Sequence, residues 1–177
     1  MNDRNEKAIL RRAEPHELDA AFGLIAERVA WMDRVGLRQW NSSGYLEAYP
    51  RAHFEEQMEN GRLYVLEEDG AIAATAVLLD EDPRWADFPP ESAWYVHNFA
   101  SSISHHGAGG AMLTRLRARA AELGKRALRL DCARDSAFLN EYYEKHGYRR
   151  VGECREEPYY QGVLRQLRLD SASVGNS

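Results

Sequence analysis

The chain has 177 residues, 44% of them hydrophobic and 29% charged, which suits one globular domain able to bury a core. Its formal net charge of -5 argues against nucleic acid as a partner, because nucleic-acid binding depends on basic surfaces. The sequence has no apolar run of about 18 residues that would span a membrane. Residues 1–7 lack the apolar stretch of a signal peptide, so we expect a cytoplasmic protein without a membrane partner.

The two cysteines and six histidines give no sign of a metal site. The spacing between Cys132 and Cys154 fits no metal motif, and the histidines are scattered apart from the pair His105-His106. Since proteins without an export signal stay in a reducing compartment, we expect two free thiols and no bound metal.

The N-terminal part predicts a short strand and a long helix. Residues 8–13 are strand-like, and Pro15 after them suits the first turn of a helix. Gly36 is a typical residue to end that helix. Between these points apolar residues recur at spacings of three and four, which predicts an amphipathic helix: Leu18, Phe22, Ile25, Val29 and Met32.

A second helix and a hairpin follow. The helix is predicted over residues 50–60, and residues 62–68 and 71–79 are strand-like. The dipeptide Asp69-Gly70 between these strands is a strong signal for a tight β-hairpin turn.

The second half alternates strands and helices. Residues 94–100 predict a strand, and a glycine-rich turn leads from it into a helix with Met112, Leu116, Ala120 and Leu123 on one face. The remaining predicted elements are a strand at 128–132, a helix at 137–146 closed by Gly147, and strands at 148–153 and 163–169. This order implies an α/β or α+β layer structure around one mixed sheet.

The glycine-rich turn His106-Gly107-Ala108-Gly109-Gly110-Ala111 is the first candidate site. Glycines allow close approach to the backbone, and the first N–H groups of a helix are unpaired at its positive end. Such a turn suits a diphosphate. A flexible connection would have a similar composition, so the turn alone leaves both interpretations open. It is neither a Walker A loop nor a full dinucleotide-binding fingerprint.

Two further segments make the pattern specific. GNAT acetyltransferases have Arg/Gln-x-x-Gly-x-Gly/Ala at such a turn, and residues 106–111 resemble it, with His106 in place of Arg or Gln. Downstream, Leu130-Asp131-Cys132 and Tyr143-Glu144-Lys145-His146-Gly147-Tyr148 resemble the family's second signature, in which a strand with an acidic residue precedes a short helix. The resemblance extends over roughly residues 8–170.

The resemblance implies the GNAT fold, α/β (α+β) with a mixed central sheet of about six to seven strands flanked by about four helices. It places one domain at residues 8–170, with tails at 1–7 and 171–177. It also implies acetyl-CoA as the cofactor, with direct attack by an amine on the thioester. The expected cofactor-binding residues are Phe99, Ala100, Ser101, His106, Gly107, Ala108, Gly109, Gly110, Ala111, Ser136 and Tyr143. Ser136 stands where the family often has Asn.

The catalytic residues are expected to include an acid and a base. Tyr143 matches the family's proton-donating tyrosine, and its neighbour Tyr142 is the alternative. The strand at 94–99 lacks the carboxylate that many relatives use, so His97 is the candidate base. His97 also alternates with apolar residues along the strand and would serve equally well as a packing residue. Asp131 is the second candidate for the base.

Substrate recognition is expected from irregular aromatic segments. An acceptor amine suits aromatic rings and a few carboxylates. The candidate residues are Trp31, Asp33, Trp40, Tyr45, His97 and Trp85, with Phe88 and Tyr159-Tyr160 as further possibilities.

The expected function is acetyl transfer from acetyl-CoA to the primary amine of a small molecule. A protein N-terminus or lysine is the alternative acceptor, and a CoA-binding regulatory module without catalysis is the alternative class. Family members are often dimers, so a homodimer is an open expectation.

Overall fold

The computed structural model describes residues 8–37, 40–156 and 160–169. The predicted tails at 1–7 and 171–177 lie outside the described residues. Within the described ranges the chain forms seven strands and five helices: β1 (Ile9–Arg12), α1 (Leu18–Val35), α2 (Tyr45–Ala48), α3 (Arg51–Glu59), β2 (Leu63–Glu68), β3 (Ala71–Leu79), β4 (Ala93–Ser101), α4 (Ala108–Glu122), β5 (Ala127–Ala133), α5 (Ala137–Lys145), β6 (Arg149–Glu156) and β7 (Tyr160–Arg168). The predicted mixed sheet and its flanking helices are confirmed, and the single turn of α2 is an addition.

Local chemistry sets several of these boundaries. Gly36 ends α1 in the left-handed conformation with φ of 71°, as its position after the apolar face predicted. Asp69 and Gly70 have φ values of 51° and 78°, which fits the tight hairpin turn that joins β2 to β3.

The strands form one sheet in the order β1-β2-β3-β4-β5-β7-β6. Neighbouring strands are antiparallel except β4 and β5, which run parallel. A parallel neighbour requires a crossover, and α4 supplies it. The parallel pair therefore places the turn that begins α4 beside the C-terminal end of β4.

Helices cover both faces of this sheet. In β2, Tyr64 and Leu66 pack into the core under α4 and α5, while Leu63 and Val65 pack into the core under α1 and α3. Because both faces are buried, the central strands are apolar almost throughout. A polar side chain on β3 or β4 is therefore unusual and calls for an explanation.

The sheet has an opening at its centre. β4 and β5 pair only from Ala93↔Ala127 to Tyr95↔Arg129, and beyond these residues each strand pairs only with its outer neighbour. The two strands therefore diverge toward their C-terminal ends. The gap between them gives access to both faces of the sheet.

No helix in the described parts of the chain is long and apolar enough to cross a membrane. Across the same residues, His, Cys, Asp and Glu form no group that could hold a metal ion. Cys132 is buried, Cys154 is half-buried, and both are free.

Candidate active site

A cleft of about 780 Å³ lies where β4 and β5 diverge. This volume is within the range of about 300–1,000 Å³ that is usual for ligand pockets. Residues 96–99 of β4 form one wall and residues 130–133 of β5 form the other. His97 and Tyr143 both line this cleft, so the structure brings together the predicted base and the predicted acid.

The glycine-rich turn begins α4 immediately after β4. Gly107 is the N-cap residue and has φ of 91°, a left-handed conformation that side chains rarely adopt. Ala108 and Gly109 are buried in the first turn, while His106 is exposed ahead of it. The Ala108 amide donates to the His105 carbonyl oxygen at 3.1 Å, whereas the Gly109 and Gly110 amides have no hydrogen-bond partner among the described residues, which leaves these two available to an anion.

Gly109 lies in close contact with other parts of the site. A Cβ atom at this position would lie 2.8 Å from the Tyr142 hydroxyl oxygen, 3.3 Å from Ser101 Oγ and 3.7 Å from the Phe99 ring. These distances leave no room for a side chain without a shift of Tyr142. The end of β4, the turn and α5 therefore meet at Gly109.

Ser101 also contacts α1 from the other side. The Arg28 guanidinium donates to the Ser101 carbonyl oxygen at 2.5 Å and lies 3.3 Å from Ser101 Oγ. Ala100 is buried in the core under α1 and α3. The three predicted cofactor-contact residues on β4 thus lie directly beside the turn, although Ala100 presents only its backbone.

A β-bulge distorts β4 inside the cleft. Val77 of β3 pairs with His97 and Thr75 pairs with Ala100, so Asn98 and Phe99 lie opposite the single residue between them. Asn98 has φ of 48°, which Asn tolerates better than most residues. Its side chain is held by Tyr45 and His53.

The contacts of Asn98 are specific. Its Nδ2 donates to the Tyr45 hydroxyl at 2.6 Å, and its Oδ1 lies 3.3 Å from His53 Nε2. These contacts fix the bulge to α2 and α3. The sequence analysis did not identify Asn98, although a lone Asn inside an apolar strand was the available signal.

Tyr142 and Tyr143 have different environments, although they are adjacent on α5. Tyr143 is buried among Cys132 and Tyr148 and lines the cleft. Burial, together with the nearby Cys132, raises the pKa of Tyr143 well above 10, so its hydroxyl stays protonated. Tyr142 instead reaches the turn at Gly109. Of the two tyrosines, Tyr143 is the one that lines the cleft, and its role as the proton donor stays a prediction.

His97 is paired with a buried carboxylate. Its Nε2 lies 2.8 Å from Asp82 Oδ2, and the Asp82 side chain is only 5% exposed. Burial is the largest influence on the Asp82 pKa and raises it. The hydrogen bonds from His97 and from the Arg84 amide outweigh burial and hold this pKa below its usual value. Asp82 is therefore an anion that orients the imidazole.

The pairing with Asp82 determines which ring nitrogen of His97 carries the proton. When Nε2–H donates to Asp82, Nδ1 carries the lone pair. Within the described ranges, Nδ1 has no hydrogen-bond partner. Asp82 was not among the predicted site residues. A carboxylate from the loop after β3 thus contacts His97 on the strand that has no carboxylate of its own.

Asp131, the second candidate base, is engaged in a different network. Its Oδ2 accepts from the Tyr160 hydroxyl at 2.5 Å, and its Oδ1 lies 3.3 Å from the Arg84 guanidinium. Burial and the Asp131 charge raise the pKa of Tyr160. Because both carboxylate oxygens already have donors, Asp131 is less available than His97 to accept a proton.

The predicted acceptor residues divide into two groups. Trp40 and Tyr45 line the cleft and stack with ring centroids 4.2 Å apart. Trp85 does not line it, because its ring is 3% exposed and packs in the core against Tyr95 and under Arg129. Its neighbour Phe88 packs against the same ring.

Two predicted acceptor residues on α1 also lie outside the cleft lining. Asp33 is exposed and accepts a hydrogen bond from Asn41, and Trp31 packs against the Arg28 guanidinium. Both residues sit near the C-terminal end of α1, and neither lines the cleft. Tyr160 lines the cleft, whereas Tyr159 lies outside the described residues.

Ser136 is the N-cap residue of α5. Its hydroxyl oxygen accepts from the Leu139 amide at 3.3 Å, and its side chain is largely buried. This contact gives Ser136 a structural role at the start of the helix. A contact between Ser136 and the cofactor stays a prediction.

The sequence matches a known family. Residues 34–148, more than half of the chain, match the model of the acetyltransferase (GNAT) family. The uncharacterized N-acetyltransferase YesJ of Bacillus subtilis (strain 168) is 29% identical over 147 residues. This match covers 77% of the chain described here and 78% of the relative.

Solved structures share the fold. An acetyltransferase of the GNAT family from Streptococcus agalactiae has a TM-score of 0.76 at 21% identity, over 92% of this chain and 96% of its own. The PaiA N-acetyltransferase from Thermoplasma acidophilum, solved in complex with coenzyme A, has a TM-score of 0.69 at 12% identity. That alignment covers 91% of this chain and 98% of the other.

Proposed function

Because the chain belongs to the GNAT acetyltransferase family and is an acyltransferase that uses acetyl-CoA, we propose that its acceptor is the primary amine of a small molecule. One observation carries this proposal. His97 on β4 and Tyr143 on α5 line the same cleft between β4 and β5, whose volume of about 780 Å³ is in the range of small-ligand pockets. A base on one side and an acid on the other suit a direct transfer between two ligands.

The described residues fit acetyl-CoA. The left-handed Gly107, where an added Cβ would meet nothing within 4 Å, keeps the start of α4 open to the diphosphate. The diverging end of β4, at residues 99–101, presents backbone groups beside this turn. When bound, the cofactor supplies an activated acetyl thioester, and its thiolate is the leaving group.

We assign the proton transfers to side chains of the cleft. Nδ1 of His97 accepts the proton of the attacking amine, while Asp82 holds the ring in the required tautomer. Tyr143 is protonated because its pKa is raised, and because this also weakens it as an acid, we assign its donation to the departing thiolate to proximity within the cleft. The bulge leaves one of residues 98 and 99 without a partner on β3. We assign the backbone amide of that unpaired residue the role of polarising the thioester carbonyl.

The test is a thiol-release screen with acetyl-CoA and several amine classes: antibiotics, polyamines, amino acids and peptides. We expect a small amine to release thiol faster than any peptide. Preference for a peptide would assign the alternative acceptor. If acetyl-CoA raises the melting temperature but no amine causes thiol release, the result would support a CoA-binding module instead.

We also propose a cytoplasmic location, which the two free thiols support. The homodimer and the single domain at residues 8–170 stay predictions.

A further inference from the structure

A second, smaller cavity adjoins the cleft beside His97. This inner chamber has a volume of about 260 Å³ and lies on the α3 face of β3 and β4. Its floor is formed by Val77 and Leu79, which are alternate residues of β3 and so share one face of the strand. His97 and Asn98 line both the inner chamber and the cleft, so the two spaces meet at the proposed base.

One wall of the inner chamber is a polar stripe. The stripe consists of residues spaced by four: Tyr49, His53 and Gln57. His53 and Gln57 therefore lie on one side of α3, and Tyr49 lies in the segment just before this helix. Gln57 is only 8% exposed, a burial more typical of an apolar residue. Phe54 on the same helix is fully buried in the core, as expected for a helix packed on the sheet.

Gln57 has an unsatisfied group. Its Oε1 atom is buried and has no hydrogen-bond partner among the described residues. A buried amide without a partner is unfavourable, and native proteins usually satisfy such groups. The terminal torsion of Gln is broad, and a rotation about it that exchanges the amide oxygen and nitrogen would turn the buried carbonyl oxygen toward a donor inside the inner chamber.

The charges around the inner chamber disfavour an anion. Asp82 and Glu156 are among its lining residues. Arg84 lines it as well, but its guanidinium is bound to Glu156 at 2.6 Å and to Asp131 at 3.3 Å. A carboxylate in the inner chamber would therefore meet two acidic residues and a cation that is already paired.

We propose that the inner chamber holds the tail of the acceptor amine and selects a short aliphatic tail that ends in a hydrogen-bond donor. Gln57 is the specificity-determining residue, since its carbonyl oxygen accepts from that donor. The inference rests on the proposed function, because the reacting amine must reach Nδ1 of His97 while its tail points away from the cofactor. The apolar floor favours methylene groups, and the polar wall favours a hydroxyl or ammonium end.

The test uses four amines of equal chain length: 1-aminobutane, 4-amino-1-butanol, 1,4-diaminobutane and 4-aminobutanoate. We expect kcat/KM to be about tenfold higher for the two donor-ended amines than for 1-aminobutane, as one hydrogen bond would give. The acid should be the poorest substrate. In Gln57→Leu the advantage of the donor-ended amines should fall to near one, through KM rather than kcat.

The variant is suited to this test because leucine removes the unpaired amide without leaving a charge, so folding should be retained. Glu59→Leu, on the exposed side of α3, is the matched control and should keep the preference of the wild type. If Gln57→Leu keeps the wild-type preference, the proposal is overturned.

Melting temperatures with CoA present separate this proposal from the proposed function. Stabilisation by 1,4-diaminobutane in the wild type but not in Gln57→Leu, without thiol release, would support the inner chamber and overturn the proposed function. Acetylation of all four amines at equal rates would support the function and overturn the role of the inner chamber. If no amine of the series stabilises or reacts, the inner-chamber proposal is wrong.

Discussion

The glycine-rich turn and the acceptor wall both adjoin β4, but they are built from different parts of the chain. The turn is a continuous segment at residues 106–111, and its proposed role depends on backbone amides and an open left-handed glycine. The acceptor wall consists of Tyr45, Asp82, His97 and Asn98, which come from three separate segments and act through side chains. Backbone recognition needs only a local conformation, whereas the acceptor wall needs the whole sheet to bring its members together.

This difference has a functional consequence. Substitutions in the acceptor wall should change the rate of the chemical steps, because they remove groups that hold or move protons. Substitutions in the turn should mainly change the affinity for acetyl-CoA, because they displace the amides that receive the diphosphate. Asp82→Asn in the acceptor wall and Gly109→Ala in the turn test this division directly. Tyr143→Phe tests the proposed acid across the cleft, and Glu17→Gln tests a residue outside both regions.

Tyr143→Phe should have the largest effect. The buried phenol holds its proton and lies in the cleft, so its removal takes away the proposed acid without opening a cavity. We expect kcat to fall by about 100-fold or more, the usual contribution of general acid catalysis. Steady-state kinetics with a responsive amine, together with acetyl-CoA titration calorimetry, would measure both effects.

Tyr142→Phe is the matched control for this variant. Tyr142 contacts the turn at Gly109 rather than the cleft, so its loss should change the affinity for acetyl-CoA more than kcat. A larger fall of kcat in Tyr142→Phe than in Tyr143→Phe would show that the roles of the two tyrosines are reversed.

Asp82→Asn should have the next largest effect. The asparagine amide would donate to Nε2 of His97, which moves the imidazole proton to Nδ1 and removes the free lone pair. We expect kcat/KM to fall at least tenfold, with the affinity for acetyl-CoA unchanged. Asp131→Asn is the comparison, since Asp131 already accepts from Tyr160 and Arg84. An equal or larger fall in Asp131→Asn would make Asp131 the better candidate for the base.

Sequence patterns predicted the seven strands, the four longer helices and the turn, because each depends on local periodicity or on glycine at a defined place. Gly36 and Asp69-Gly70 worked as boundaries for this reason. The short helix α2 was missed, since one turn of four residues leaves no periodic signal.

The acceptor wall was harder to predict. Asp82 and His97 are 2.8 Å apart in space, but only the pairing of β3 with β4 and the loop between them brings them together. Trp85 was assigned to the pocket because it is aromatic and lies in an irregular segment, yet it packs in the core. Aromatic content does not distinguish a core from a pocket, since both are lined by apolar rings.

Gly109→Ala tests the turn. The added Cβ would lie 2.8 Å from the Tyr142 hydroxyl oxygen, so either that ring or the turn must move. We expect KM for acetyl-CoA to rise about tenfold, equivalent to roughly one charge-assisted hydrogen bond, with kcat at saturation changed by much less. The control is Gly23→Ala, where a Cβ would meet nothing within 4 Å. A fall of kcat with the KM for acetyl-CoA unchanged would contradict the proposed difference in role between the turn and the acceptor wall.

Glu17→Gln should have the smallest effect. It sharpens the comparison because it separates unfolding of the protein at low pH from loss of catalytic activity at low pH. Glu17 accepts from Arg11 at 2.6 and 2.7 Å and from the Glu14 amide at 2.8 Å, which ties β1 to the start of α1. The Arg11 hydrogen bond lowers the pKa of Glu17 from 4.5 to about 2, against the opposing effect of burial.

A lowered folded-state pKa means that the Glu17 anion stabilises the fold above pH 4.5 and that this contribution is lost as the pH falls toward 2. Glu17→Gln should therefore lower Tm by about 3 °C at pH 7 and leave it unchanged near pH 2. Melting curves at both pH values would measure this, with the exposed Asp19→Asn as the control. Because Glu17 lies outside the cleft, kcat at pH 7 should not change. An equal loss of Tm at both pH values would mean that the side chain stabilises the fold by packing rather than by its charge.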